Sequence, residues 1–282
     1  MATVAILGAG DIGGALAREL AALDLVSRIV IIDDLGNVAA GKALDVAQSG
    51  PVDGYHTSLI GTNDLAAVVG AKAVVIADRA SQPIVEWTDD AGLELLKRAA
   101  GLNQAAFFVC AGAKQASIIE KAVNEVGLSR LRVLGSAPEA LRSAVIAITA
   151  AEAQAAPSDI SLSVLGRPPH NIIVPWDEAS IGGRCATNVL SAGQLARLDA
   201  RIARLWPPGP YALGSAAARL IRSALTRGSR IHAGLVAVTR EEGLPGRSAM
   251  MPVTLSPAGI ASLVAPSLST RDRVRFETTM RA

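Results

Sequence analysis

Gly8, Gly10 and Gly13 stand in the spacing Gly-x-Gly-x-x-Gly, immediately after the apolar run Thr3–Leu7. Overlapping the last of them, Ile12, Leu16, Leu20 and Leu23 recur at helical spacing. A second apolar run, Arg28–Ile32, ends on Asp33, 20 residues beyond Gly13. Strand, glycine turn, helix, strand and carboxylate in that order make the complete fingerprint of a dinucleotide-binding βαβ unit. Gly8 permits the tight turn, Gly10 lets a pyrophosphate approach the backbone, and Gly13 lets helix and strand pack closely. Asp11 and Ile12 open the helix, whose free N–H groups and positive dipole end suit phosphate. Asp33 can accept hydrogen bonds from ribose hydroxyls and would repel a 2′-phosphate, so the expected cofactor is NAD rather than NADP. Asp34 offers a second carboxylate, but position favours Asp33.

The remaining pattern enlarges this unit into a domain. Apolar runs at Lys72–Ala77, Ala106–Cys110 and Leu131–Gly135 read as buried strands, with a weaker one at Tyr55–Ile60. Between them, Val38–Gln48, Asp64–Val69 and Gln115–Val126 read as helical, and Thr88 can cap a further helix with Asp89 and Asp90 in its first turn. Such alternation predicts an α/β fold, a Rossmann doubly wound parallel sheet. After about residue 143 the pattern changes. Glu139–Gln154 is a long Ala-rich helix. Strands are expected at Asp159–Leu165, Asn171–Pro175, Ser229–Thr239 and Ala249–Leu255, and helices at Ser191–Leu205 and Gly214–Leu225. The division expected is a dinucleotide-binding domain over 1–143 and a smaller α+β domain over 144–282, lying on a separate layer.

Composition narrows the function. Half of the 282 residues are apolar and 18% are charged, enough to bury a large core. A net charge of +2 without a Lys/Arg block, and only 3% aromatics, argue against a nucleic-acid partner. No apolar run approaches a membrane span and none reads as a signal peptide, so a cytoplasmic protein is expected. Cys110 and Cys185 form no metal spacing, and no metal is expected.

Beyond the fingerprint, the sequence resembles the lactate/malate dehydrogenase family along nearly its whole length. The stretches that carry the resemblance are VAILGAGDIGGALA, IIDD with GKALDVAQSGP, GTNDLAAVVGAKAVVIA, VLG with IIVP and ASIGG, GSAAARLIRSAL and MMPVTLSPAGI. The resemblance implies a two-domain NAD-binding oxidoreductase, assembled as a homo-oligomer, that moves a hydride between nicotinamide and a 2-hydroxy acid. That chemistry uses a His as proton shuttle, an Asp to orient it, and arginines to hold the substrate carboxylate.

Each of those positions is substituted here. The family's substrate loop corresponds to Ala77–Asp90, and its two arginines fall on Gln82 and Thr88. The strand-end Asn motif falls on Cys110-Ala111-Gly112. The helical Asp and Arg fall on Arg142 and Val145. The catalytic His falls on Pro168 or Pro169, with His170 one or two places further on. Three readings follow. The first is an NAD-binding pseudoenzyme without the family's reaction. The second is an oxidoreductase with a rebuilt site, in which His170 carries the proton and Arg142 and Arg167 hold a small anionic substrate. The third is a structural or partner-binding protein without nucleotide. Arg79, where the family has Gly beside the cofactor, could pair with pyrophosphate or with Asp78, or block the nicotinamide half. His56 and His232 are expected to be structural.

Overall fold

In a computed structural model, which describes residues 2–81, 85–238 and 247–281, the apolar runs of the first half form one parallel sheet. Its strands are β1 (Thr3–Leu7), β2 (Arg28–Ile32), β3 (Ser58–Thr62) and β4 (Ala73–Ile76). After a short hairpin, β5 (Asp78–Arg79) with β6 (Val85–Glu86), the sheet resumes with β7 (Phe107–Cys110) and β8 (Val133–Gly135). The order is β3-β2-β1-β4-β7-β8, and all five pairings are parallel. The helices α1 (Asp11–Ala22), α2 (Gly36–Asp53), α3 (Asp89–Leu102) and α4 (Ala116–Asn124) cover the two faces.

Strand periodicity explains why these runs are apolar throughout. Val4 and Ile6, Ile29 and Ile31, and Ala73 and Val75 point to the face covered by Leu16 and Leu20 of α1. Their neighbours Ala5 and Leu7, Val30 and Ile32, and Val74 and Ile76 point to the face covered by Leu96 and Ile118. Burial of each large side chain contributes about 1.5–3 kcal/mol, so both faces are strongly specified. The order reverses between β1 and β4, which puts the glycine turn at the switch point where open α/β sheets take their ligands.

The second half comprises α5 (Ala137–Ala153), β9 (Ile160–Ser161), β10 (Leu165–Arg167), β11 (Asn171–Ile173), β12 (Ser180–Ile181) and β13 (Arg184–Cys185). These are followed by α6 (Ala186–Val189), α7 (Ala192–Ile202), α8 (Pro210–Leu225), β14 (His232–Ala237), β15 (Ser248–Ser256), β16 (Gly259–Leu263) and α9 (Thr270–Arg281). Its larger strands do not form the separate layer that the change of pattern suggests. β14 pairs with β8, Leu235 opposite Gly135, and carries β15, β10, β11 and β16 with it into one sheet of eleven strands. The physical reason is the edge: β8 would otherwise expose an unpaired ladder, and an antiparallel neighbour covers it. The position near 143 falls inside the continuous helix α5. A close helix pair also joins the halves, since a Cβ on Gly214 of α8 would lie 2.8 Å from Ala15 Cβ and the Leu16 amide of α1.

Several boundaries differ from the pattern. α2 runs past Gln48 to Asp53 and stops at Gly54, whose φ of 81° is a left-handed helix terminus. β3 begins at Ser58 rather than Tyr55. The strand expected over Ser229–Thr239 is β14; Thr239 lies outside the described residues. Among the described residues no helix is long and apolar enough to cross a membrane.

Candidate functional site

The glycine turn has the geometry its spacing requires. Gly8 has a φ of 122°, and its amide donates to the Ile32 carbonyl at 2.7 Å. A Cβ on Gly13 would lie 2.1 Å from the Gly8 carbonyl oxygen, so α1 and β1 meet there backbone to backbone. Gly10 precedes α1 and has no side chain to cap it. The first amides of α1 therefore need acceptors from elsewhere.

They have one within the chain. The Asp78 carboxylate accepts from the Ile12 amide at 3.0 Å and from the Gly13 amide at 2.9 Å. The Asp78 carbonyl accepts from the Gly10 amide at 3.0 Å. The side chain is buried, 3% exposed, and lies where a Cβ on Gly10 would be, 2.4 Å from the carboxyl carbon. Burial, the largest influence, pushes the Asp78 carboxyl above its ordinary range, and the charge of Asp11 adds to this. The Ile12, Gly13 and Asp11 amides pull the other way.

Asp33 is also engaged internally. It is 4% exposed. One oxygen accepts from the Ala9 amide at 2.8 Å and the Ala80 amide at 3.0 Å, and the other from the Leu35 amide at 3.0 Å. Asp34 is exposed. One short stretch, Asp78–Ala80, thus bridges the helix terminus and the ribose-type carboxylate. That stretch is pinned from behind. Asp78 pairs with Glu86 and Arg79 with Val85. The Trp87 amide donates to the Ala77 carbonyl, and the buried Gln115 side chain donates to both the Ala77 and Trp87 carbonyls at 3.0 Å. The Arg79 guanidinium stacks on the Trp87 ring, 4.5 Å from its centroid.

The donor set around the turn is of the right kind for a dinucleotide, yet with Asp78 in place it does not fit one. The two α1 amides and the space beside Gly10 are already taken by a carboxylate. In sequence Asp78 stands out only as a possible partner for Arg79. The available signal was a charged residue directly after a buried strand, within a segment otherwise similar to the dehydrogenases.

The residues proposed for chemistry do not gather at this turn. Arg142 donates from Nε to the Leu162 carbonyl at 2.8 Å and lies 3.5 Å from Glu139. Glu139, buried on α5, also meets His232 at 3.4 Å and Arg219 at 3.6 Å and accepts from the Ala233 amide at 2.8 Å. Burial would raise the Glu139 carboxyl, but His232, Arg142 and the Ala233 amide outweigh it and hold the carboxyl below its usual range. Arg167 reaches Glu120 at 3.2 Å, an oxygen that also accepts from the Ser248 amide and hydroxyl. His170 is exposed beyond β10, beside Pro169, Ile172, Asp199 and Arg275. Cys110 is fully buried, which pushes its thiol up to about 12. Thr88 precedes α3 in extended conformation without a side-chain cap bond. Gln82 lies outside the described residues.

The fold is a Rossmann-type α/β sheet with an antiparallel second half. No family model matches the chain. It is 27% identical over 293 residues to a malate dehydrogenase of Trichormus variabilis, covering 98% of this chain and 90% of that protein. It is 24% identical over 294 residues to a malate dehydrogenase of Thermomicrobium roseum, covering 99% and 95%. Among solved structures, malate dehydrogenase from Salinibacter ruber superposes with a TM-score of 0.87 at 20% identity, covering 98% of this chain and 93% of that one. Lactate dehydrogenase from Cryptosporidium parvum, complexed with lactic acid and nicotinamide adenine dinucleotide, superposes with a TM-score of 0.86 at 19% identity, covering 99% and 95%. The chain has the fold of the lactate and malate dehydrogenases, and its sequence is similar to those of malate dehydrogenases over nearly its whole length.

Proposed function

We propose that this chain is a divergent lactate/malate dehydrogenase relative that keeps an NAD-type dinucleotide frame but does not transfer hydride to or from 2-hydroxy acids. The observation that carries this is the fate of the acid–base and anion-clamp positions. Two prolines, Pro168 and Pro169, stand where the resemblance calls for the proton-shuttling His. The nearest imidazole, His170, neighbours α7 and α9 residues, whereas Gly8, Gly10 and Asp33 cluster with Asp78. Arg142 is paired with Glu139, and Arg167 with Glu120. A proton shuttle typically contributes 10²–10⁴-fold, and without it and the carboxylate clamp the reaction has little left to drive it. The nucleotide class is NAD rather than NADP, because Asp33 would repel a 2′-phosphate. The role left is that of a binding or regulatory protein whose ligand includes a small anionic group.

Steady-state assays with pyruvate and with oxaloacetate, each with NADH, test the reading. Rates at least ~10⁴-fold below ordinary dehydrogenase turnover are expected. Turnover in the usual range of about 1–10³ s⁻¹ with either keto acid would overturn it.

A further inference from the structure

We propose that Asp78 is a built-in occupant of the diphosphate cradle, and that a dinucleotide must displace it before it can bind. This rests on the NAD-type reading of the glycine turn. A diphosphate at such a turn uses the free amides at the start of α1 and the space left by the missing Gly10 side chain. Here the Asp78 carboxylate holds the Ile12 and Gly13 amides at 3.0 and 2.9 Å and fills the space beside Gly10. A carboxylate and a diphosphate are both anions that accept hydrogen bonds from the same donors, so the two cannot share the position.

The occupancy extends to the ribose end. The Ala80 amide, two residues on, donates to Asp33, whose other partners are the Ala9 and Leu35 amides. A ribose hydroxyl would have to replace at least one of them. The charges facing the cradle disfavour a second anion as well: Asp11 follows Gly10 directly, and Asp33 is bonded to Ala9. On the cationic side, Lys42 donates to the Gly10 carbonyl at 3.1 Å and Arg79 lies on Trp87. The segment cannot simply swing aside, because Gln115 and the β5–β6 pairing hold both its ends. Apparent affinity then equals intrinsic affinity reduced by the fraction of molecules with the cradle open.

The test uses the full chain and three probes: NADH followed by fluorescence, and ADP-ribose and inorganic pyrophosphate followed by calorimetry. Wild type is expected to bind NADH and pyrophosphate only weakly, with Kd in the millimolar range, because the cradle is open in a small fraction of molecules. Asp78→Ala should bind both at least about 100-fold more tightly, since two charge-assisted hydrogen bonds no longer compete. Should circular dichroism show that Asp78→Ala is unfolded, Asp78→Asn keeps the shape, removes the charge and should gain at least about tenfold. The proposal is overturned if wild type binds within threefold of a folded variant, or if no folded variant gains pyrophosphate binding. A variant that gains pyrophosphate but neither ADP-ribose nor NADH keeps Asp78 as the occupant and removes the NAD reading instead.

Discussion

Replacing Glu139 with Ala should destabilise the fold severely, because Glu139 is the shared anion of a buried cluster. Its side chain is 2% exposed, and it faces Arg142 at 12%, His232 at 1% and Arg219 at 48% exposure. Truncation leaves the Ala233 amide without its acceptor, which costs about 1–3 kcal/mol. It also leaves Arg142 with one neutral acceptor, the Leu162 carbonyl. Removing one partner of a buried ion pair typically costs about 3–5 kcal/mol, a figure that already includes part of the first loss. The expected total is therefore about 3–5 kcal/mol, and at about 2–4 °C per kcal/mol for a chain of this size Tm should fall by roughly 6–20 °C. Urea unfolding followed by circular dichroism measures it. Glu139→Gln should lose less, since an amide oxygen can still accept from Ala233. Glu139→Ala combined with Arg142→Met should recover stability relative to Glu139→Ala alone, because the unpaired cation is gone. The sign with pH follows from the depressed carboxyl. Its contribution is present above the ordinary carboxylate range and fades as pH falls through the folded-state value, so wild type and Glu139→Gln should converge in acid. If Glu139→Ala stays within about 1 kcal/mol of wild type at neutral pH, the cluster is not a structural ion pair, and Arg142 is again available to hold a substrate.

Two further outcomes are expected. Gly13→Ala should be strongly destabilising whether or not nucleotide is present, since its Cβ would lie 2.1 Å from the Gly8 carbonyl oxygen; thermal unfolding checks it, and a Tm unchanged from wild type would contradict the close helix–strand packing. In native protein, maleimide should label Cys185, which is partly exposed, and spare Cys110, whose buried thiol stays protonated until about 12; peptide mapping that finds Cys110 labelled as fast as Cys185 would refute the burial argument.

The inner strands β1, β2, β4, β7 and β8 are legible from sequence because they are buried and read as apolar runs, whereas the edge strand β3, partly exposed, reads more weakly. The glycine turn and Asp33 are legible because their spacing is local. What is not legible depends on contacts between distant segments. β14 joins β8 through Leu235 and Gly135, 100 residues apart, and nothing in either strand announces that partner. α9 escapes because its apolar residues are few: Met280 is fully buried, yet its helix is mostly Arg, Thr and Asp or Glu. Asp78 escapes because its partners are distant in sequence. Its carboxylate meets amides 65 and 66 residues earlier in the chain, and a lone acid after a strand reads as a surface residue. Glu139 and His232, 93 residues apart, are likewise separate in sequence and joined only by the fold.

We propose above that a dehydrogenase frame persists here without the dehydrogenase reaction. The most direct measurement mixes wild type and Asp78→Ala, each with excess NADH, with oxaloacetate or pyruvate and follows NADH absorbance over hours. Opening the cradle should change NADH binding and, on the proposed function, leave NADH consumption at background in both proteins. Consumption by either protein at a rate near 1 s⁻¹ or above, the lower end of roughly 1–10³ s⁻¹ for ordinary enzymes, would show that the chain is a working dehydrogenase.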